Sequence, residues 1–406
     1  MRKVLLSFLL LALLIPTVLF AAGDQEVETP GVTDDKILVG FSMPLSGPIG
    51  FIGSLTVDLT NAVFQKYNEE EGGIYGRKLE LIAYDSGTDA SQALANYRKL
   101  ILEDEVFCVL FGFGSFVRPA YDFFAEQGVP WLFPMAPPYD QVFPPKKYLF
   151  SLFPTTATQM KTEAKWIIDQ NKYKKIACIY GDSASGKTGL EGLRKELDGS
   201  GIEIVAAEAL KEGSTSASVQ VAKISKTDHD LVMIFGFTMQ PAAVAIKEIR
   251  KVGLKSDIMI NQPITNNTLL GMMEPEDVEG VYGSWWGALE YRADKPEAST
   301  PEMRAAAAVF DKYAPNVDRG QVEHSLSVEL FIEALKRAGK DLTREGLVEA
   351  MESFDNYATG KGSYATFSKN RREGVAGGVI AQVQNGEWVE VSEWIDVEID
   401  ESQSYE

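Results

Sequence analysis

Histidine and cysteine are nearly missing from this chain: two of each occur in 406 residues. His229 and His324 are too few and too far apart in sequence to build a histidine-rich metal site, so no metal is expected. Cys108 and Cys178 each sit inside a short apolar run, in different halves of the chain. They read as small core residues, because core positions in separate lobes cannot bring their α-carbons within disulfide distance. Positive charge is in deficit too, with 39 lysines and arginines against 58 aspartates and glutamates, a formal net charge of -19. That balance argues against nucleic acid or an anionic membrane surface as a partner. It leaves the small-ligand question open, and simple solubility accounts for it equally well. No nucleophile elbow, His-Glu-x-x-His motif or close Ser/His/Asp arrangement is visible, so neither enzyme chemistry nor a cofactor is expected.

One long apolar run exists, and it is at the start. Arg2-Lys3 precede an apolar stretch from Val4 to Phe20, followed by Ala21-Ala22-Gly23. The order of positive, apolar and small residues is that of a secretory signal peptide, assigned to residues 1–22. The alternative, an uncleaved anchor, is disfavoured by the shortness of the run and the helix-hostile segment Asp24–Gly31 after it. No cysteine lies nearby, so a lipid-anchored form is not expected. Loss of Arg2 and Lys3 with the leader takes the net charge from -19 to -21.

The remaining chain repeats one pattern twice. Short apolar runs at Ile37–Met43, Lys78–Tyr84, Val106–Gly112 and Val129–Phe133 alternate with amphipathic segments such as Ser54–Glu71 and Ser91–Glu103. The series restarts at Lys175–Tyr180 and continues through Ile202–Ala206, Leu231–Phe235 and Asp257–Ile260, with helical spacing over Thr158–Asn171 and Gly189–Gly199. Uninterrupted apolar strands alternating with helices predict parallel sheets covered on both faces. Two series predict two α/β lobes, hence a cleft. After Ile260 come an extended segment, Val278–Gly287, long helices at Pro301–Tyr313 and Gln321–Gly339, and a hairpin over Gly374–Val391 turning at Asn385-Gly386. The acidic tail from Asp396 is expected to fray.

Gly181-Asp-Ser-Ala-Ser-Gly-Lys-Thr188 satisfies the phosphate-loop pattern between a strand and a helix. In a nucleotide hydrolase Lys187 would reach the terminal phosphates and Thr188 would hold Mg²⁺. Against this rival reading, the apolar strand Leu231–Phe235 runs into Gly236-Phe237-Thr238 with no aspartate to hold the metal.

Several stretches together resemble the type I periplasmic substrate-binding proteins of ABC importers, in particular the leucine-binding-like group for branched-chain amino acids and amides. They include Val39–Pro48, Glu71–Leu81 with its Gly-Gly-x-x-Gly-Arg-Lys core, Leu110–Ser115, Gln127–Pro134, Phe150–Pro154 and Lys247–Leu254. The resemblance covers about Asp34 to Trp394. It implies an α/β fold of two Rossmann-like lobes with parallel central sheets joined by three crossovers, placed near Phe150–Pro154, Tyr282–Trp286 and Tyr357–Gly362. An N-terminal lobe of residues 34–153 plus 287–359 and a C-terminal lobe of residues 154–286 plus 360–396 follow. It further implies a monomer in the periplasm that captures a small carboxylate-bearing ligand, performs no chemistry and docks on a membrane ABC permease. A ligand-sensing receptor without a transport role is the alternative.

Ligand is expected between the lobes at the carboxyl ends of the strands. Ser46-Gly47 and Gly114-Ser115 precede predicted helices, where free amides and hydroxyls suit a carboxylate. The turn containing Ser183 is the second copy's counterpart of Ser46-Gly47. By resemblance Ser115 grips the carboxylate and the backbone at Ala136 receives the ammonium, although Ser115 acting only as a helix cap fits equally. Phe51, Phe116, Met135, Phe237, Trp285 and Trp286 are the candidate apolar walls, two or three of them plain core. Three departures from the family pattern stand out: Pro137 replaces a threonine, Ser185 replaces a ligand-facing tyrosine, and Gln262 occupies the place of the acid that pairs with an α-ammonium. A neutral amide there forfeits a charge-assisted hydrogen bond, which sets a ligand without an α-ammonium, such as an aromatic or aliphatic carboxylate or an amide, beside the branched-chain and hydrophobic amino acids as candidates.

Overall fold

The computed structural model describes residues 29–47, 49–113, 119–135, 137–287, 291, 293–317, 322 and 324–405. The expected leader therefore lies outside the described residues. Strands β1 (Lys36–Met43), β2 (Lys78–Asp85), β3 (Cys108–Leu110), β4 (Trp131–Leu132) and β5 (Leu149–Phe150) form one parallel sheet in the order β2-β1-β3-β4-β5. The second series supplies β6 (Lys175–Gly181), β7 (Glu203–Leu210), β8 (Leu231–Phe235), β9 (Asp257–Ile260) and β10 (Tyr282–Trp285). After the short antiparallel pair β11 (Tyr357–Ala358) and β12 (Tyr364–Ala365), the chain adds β13 (Gly377–Gln384), β14 (Glu387–Glu390) and β15 (Ile395–Asp396). The second sheet runs β14-β13-β10-β9-β8-β6-β7, with β15 also on β13. It is parallel from β10 through β7 and antiparallel at the added hairpin.

Alternation of side chains explains why these strands read as unbroken apolar runs. In β6, Ile176 and Cys178 pack into one core while Ala177 and Ile179 pack into another on the opposite face. β8 does the same, with Leu231, Met233 and Phe235 on one side and Val232 and Ile234 on the other. Both faces are covered, so polar residues have no place in the strand interior. Cys108 and Cys178 are free, buried thiols in different sheets, and burial pushes the Cys178 thiol up to about 12. The hairpin turns at Asn385-Gly386, both with positive φ (54° and 78°), as a tight two-residue turn requires.

Helices Pro301–Tyr313 and Ser325–Ala338 follow the second sheet in sequence but pack on the first lobe. Met303 and Phe310 bury against Leu59 and Ala62 of helix Gly50–Glu70, and Phe331 against its Phe64. The chain therefore crosses between the sheets three times. The first crossing follows β5 and the second follows β10. The third differs from the expectation of Tyr357–Gly362. Ala365, Phe367 and Val375 still belong to the first core. The chain crosses instead beside the first crossing, where Ser151 N donates to Arg372 O at 2.8 Å and Gly374 N donates to Ser151 O at 2.8 Å. Isolated apolar residues such as these carry no periodicity to say which core they join.

The tail also departs from expectation. Lys165 Nζ donates to Asp396 O and Lys161 Nζ to Glu398 O on the second lobe. Asn370 Nδ2 donates to Glu401 O, and Tyr405 lies against the buried Arg372 guanidinium and donates to Glu352. Backbone carbonyls of the tail receive the lysine and asparagine bonds, which composition cannot reveal.

Glu163, in helix Thr156–Asp169, is buried and accepts from Ser284 Oγ of β10 at 2.6 Å. Burial pushes its carboxyl up to about 8. The folded protein thus keeps a proton that the unfolded chain releases near the ordinary carboxyl value, so stability is lost as pH rises toward and through about 8. Glu163→Gln keeps the acceptor and removes the titration. Thermal unfolding should show the variant more stable than the parent at about pH 9, with the difference closing by about pH 5.

Candidate functional site

The carboxyl ends of both parallel sheets face a cavity of about 170 Å³. The first lobe contributes Ile49, Phe51 and Ile52 from the start of helix Gly50–Glu70, with Phe113 after β3 and Met135 after β4. The second lobe contributes Gln159, Thr238, Met239, Gln262 and Asn266. The crossing segments contribute Phe153, Pro154, Trp285 and Trp286, and His324 completes the wall. A cavity of this size and lining holds one ring or one branched chain, since a comparable apolar cavity of about 150 Å³ takes up benzene. A larger hollow of about 720 Å³ lies on outer helices of the second lobe under the tail. Its Lys161 and Lys165 are already bonded to the tail backbone.

The structure brings together four of the sequence-predicted residues, Phe51, Met135, Gln262 and Trp285, with Trp286 beside them. Gly114, Ser115, Phe116 and Ala136 lie outside the described residues. Four others are not among the lining residues, and each has a structural assignment. The Ser46 hydroxyl bonds the Asp85 carboxylate, which with the amides of Leu45 and Gly87 holds that carboxyl below its ordinary value. Ser183 caps helix Ala184–Leu197 by accepting from Gly186 N at 3.1 Å. The Ser185 hydroxyl pairs with Thr156. Phe237 is buried in the second core with Ile264 and Leu269. Helix starts carry the right chemistry for an anion, but here local acceptors satisfy them first.

The phosphate-loop pattern has a packing origin. A Cβ on Gly186 would lie 2.1 Å from Gly181 O, and one on Gly181 would lie 2.1 Å from Gly236 O. Glycine at both positions lets β6, its following helix and the turn after β8 approach closely. Lys187 Nζ pairs with Asp182 at 2.9 Å, and Thr188 Oγ1 donates to Ala184 O at 3.0 Å.

Side-chain amides organise the polar side of the cleft. Gly236 N can only donate, so it orients Asn261 with Oδ1 toward it at 3.4 Å. Asn261 Nδ2 then donates to Gln159 Oε1 at 2.6 Å and to Gln262 O at 2.7 Å, and Gln159 Nε2 donates to Pro154 O at 2.9 Å. Asn266 caps Leu269 N and donates to Pro263 O. Thr238 donates its amide and hydroxyl to Glu212. The side-chain oxygen of Gln262 is buried with no partner. An unmet acceptor in such a place costs about 1–3 kcal/mol. On the other side, Phe153 and Trp286 meet edge to face at 4.9 Å, and the buried Lys361 ammonium lies 4.0 Å from the Trp286 ring centre. Burial, and then the Lys361 charge, lower the His324 imidazole to about 3, so it is neutral at ordinary pH.

Sequence reading missed Phe113, Phe153, Gln159, Met239 and His324. Phe113 and Phe153 lie inside the family-like stretches Leu110–Ser115 and Phe150–Pro154, and Pro154 closes the second of these, but nothing in the stretches marks those side chains as wall; Gln159, Met239 and His324 carry no local motif and join them because strand ends and crossings converge.

A family model described as periplasmic binding protein matches residues 36–387. The chain belongs to that family. Among curated relatives, the Leu/Ile/Val/Thr-binding protein of Salmonella typhimurium is 24% identical over 247 residues, which cover 61% of this chain and 67% of that protein. The leucine-, isoleucine-, valine-, threonine- and alanine-binding protein of Pseudomonas aeruginosa is 23% identical over 235 residues, 58% of this chain and 62% of that one. The matched stretch therefore spans about two thirds of these relatives. Among solved structures, a fatty acid ABC transporter substrate-binding protein from Thermomonospora curvata aligns with a TM-score of 0.79 at 23% identity, covering 91% of this chain and 95% of that one. A branched-chain amino acid ABC transporter protein from Thermus thermophilus with bound valine aligns with a TM-score of 0.76 at 17% identity, covering 90% and 98%. At these identities the likeness is one of fold, and the fold of this periplasmic binding protein is the type I two-lobe arrangement.

The exposed Lys187–Asp182 pair is worth little in water. Lys187→Ala in this binding protein should change unfolding free energy by less than about 0.5 kcal/mol in urea titration. A variant that unfolds markedly earlier would contradict the assignment of this loop to packing.

Proposed function

We propose that this chain is the exported, monomeric solute-capturing component of an ABC importer. In this reading the leader is removed, the mature protein works in the periplasm, and the loaded form docks on a membrane permease. The ligand is a small carboxylate-bearing solute with an apolar body, in the range from hydrophobic amino acids to related aliphatic or aromatic acids and amides. Its carboxylate is assigned to Gly114-Ser115 and its polar partner group to the Gln262 side.

The observation that carries the proposal is the composition of the cavity wall. Phe51 and Met135 come from one lobe, Gln159 and Gln262 from the other, and Trp285 and Trp286 from a crossing between them. A ligand that touches both sides gains its full set of contacts only when the lobes are together, so binding favours the closed state by that difference. The proposed moving bodies are residues 34–153 with the helices up to Val375, and residues 154–286 with the hairpin up to 396.

A thermal-shift and calorimetric panel of hydrophobic amino acids, their acid analogues and their amides tests this. At least one class should raise the melting temperature in a saturable way; a flat response across the panel would refute the ligand class. Phe51 is 56% exposed at the cavity mouth, so its removal leaves little void. Phe51→Ala should weaken the bound solute by about tenfold, as loss of an aromatic contact does, with unfolding of the empty protein changed by less than about 0.5 kcal/mol.

A further inference from the structure

The chain after β14 holds on to both lobes without reaching the cavity wall. On the second lobe it runs as an extended ribbon. Ile395 and Asp396 pair with Gly378 and Gly377 of β13. Beyond them Val397 and Ile399 are half-buried while Glu398 and Asp400 are exposed, the alternation of a strand laid on a surface. From helix Thr156–Asp169, Lys165 Nζ donates to Asp396 O at 3.0 Å and Lys161 Nζ to Glu398 O at 2.9 Å. The first-lobe grip begins two residues after Ile399. Asn370 Nδ2 donates to Glu401 O at 2.9 Å, and the Arg371 guanidinium lies 3.6 Å from the Glu401 carboxylate. Tyr405 places its ring centre 4.6 Å from the buried Arg372 guanidinium and donates to Glu352, the last residue of helix Arg344–Glu352. That helix buries Leu347, Val348 and Met351 in the first core, so this grip is on the body of the first lobe.

The length of the link decides what it can do. From Ile399 to Glu401 the chain spans at most about 7 Å. Asp400 between them is itself tied, accepting from the Ser402 amide at 3.0 Å and the Ser402 hydroxyl at 2.6 Å. The two grips also sit at different distances from the crossings. Arg372 is at the third crossing, whereas Lys161 and Lys165 lie about 9 and about 15 Å along their helix from Thr155. Turning one lobe on the other therefore changes the separation of the grips, and so short a link has no slack to follow. Both grips are made in the arrangement in which the lobes together wall the cavity, so their bonds favour that arrangement over a separated one.

We propose that residues 395–405 are a strap across the lobes that biases them toward closure, and so raises the affinity of the cleft by enlarging the fraction of molecules already closed. This rests on the moving lobes of the solute-capture reading given above and adds a regulating part to that same site.

Spin labels at Asp58→Cys on the first lobe and Glu276→Cys on the second read the separation of the lobes by pulsed dipolar spectroscopy. Both positions are exposed, and the native Cys108 and Cys178 are buried with their thiols pushed up, so the labels go to the introduced sites. Two variants of the mature full-length protein cut the strap in different ways. Asn370→Ala with Glu401→Ala and Tyr405→Ala releases the first-lobe grip. Insertion of Gly-Ser-Gly-Ser between Ile399 and Asp400 keeps every grip and adds up to about 14 Å of slack. Without solute, each should raise the fraction of molecules at the longer separation by about twofold or more. Combined, they should do no more than the triple substitution alone, because a strap already cut cannot be cut again. An insertion that leaves the distances unchanged, or two effects that add, would reduce the tail to local packing and overturn the inference. Distances that neither variant moves would overturn it too, and a solute panel that still responds would leave capture standing. Labels that move while the panel stays flat would remove the capture reading and keep the strap.

Discussion

The protein depends on the close convergence of its crossing segments. Ser151 donates its backbone amide to Arg372 O and accepts from Gly374 N where the first and third crossings meet, and the buried Glu373 carboxylate accepts from the Thr155 amide that opens the second-lobe helix. Burial raises that carboxyl to about 7 while the Thr155 and Thr158 contacts oppose the rise. Immediately beside this junction, Phe153 of the first crossing meets Trp286 of the second edge to face. Those two rings are also wall of the cavity. One cluster therefore joins the lobes and floors the site between them, so whatever fills the cavity presses on the parts that link the lobes.

The polar side of the cleft follows a different logic. Its amides are arranged in a chain whose direction is set by one backbone donor, Gly236 N. From there each oxygen and nitrogen takes a determined place, through Asn261 to Gln159 and Pro154. Such a network is stiff because reversing one amide would leave several buried groups unmatched. Gln262 stands next to this network and accepts from it through its backbone carbonyl.

The helix starts give a useful contrast. Ser46, Ser183 and Ser185 are the right residue types at the right places to hold an anion, yet Asp85, Gly186 and Thr156 engage them within the protein. Helix-start chemistry is a local property and can be read from sequence. Whether a neighbouring acceptor has already met it depends on residues up to 40 positions away, as Asp85 bonding the Leu45 amide demonstrates. The same distance problem hid the anchored tail, whose carbonyls take bonds from lysines more than 200 positions earlier.

What the sequence by itself determined was the architecture. Strands covered on both faces must be apolar at every position, and β6 and β8 divide their residues between two cores in strict alternation, so the doubled series was legible before any coordinates. The hairpin turn at Asn385-Gly386 was equally legible, because few residue pairs accept positive φ twice in succession. The tertiary structure decided the membership of the cavity and the line of the third crossing. Phe153, Gln159, Gln262 and His324 are separated by up to about half the chain and share no spacing; only the folded convergence of strand ends makes them neighbours. Ala365, Phe367 and Val375 joined the first core for the same reason, since an isolated apolar residue takes whichever core the chain path brings within contact.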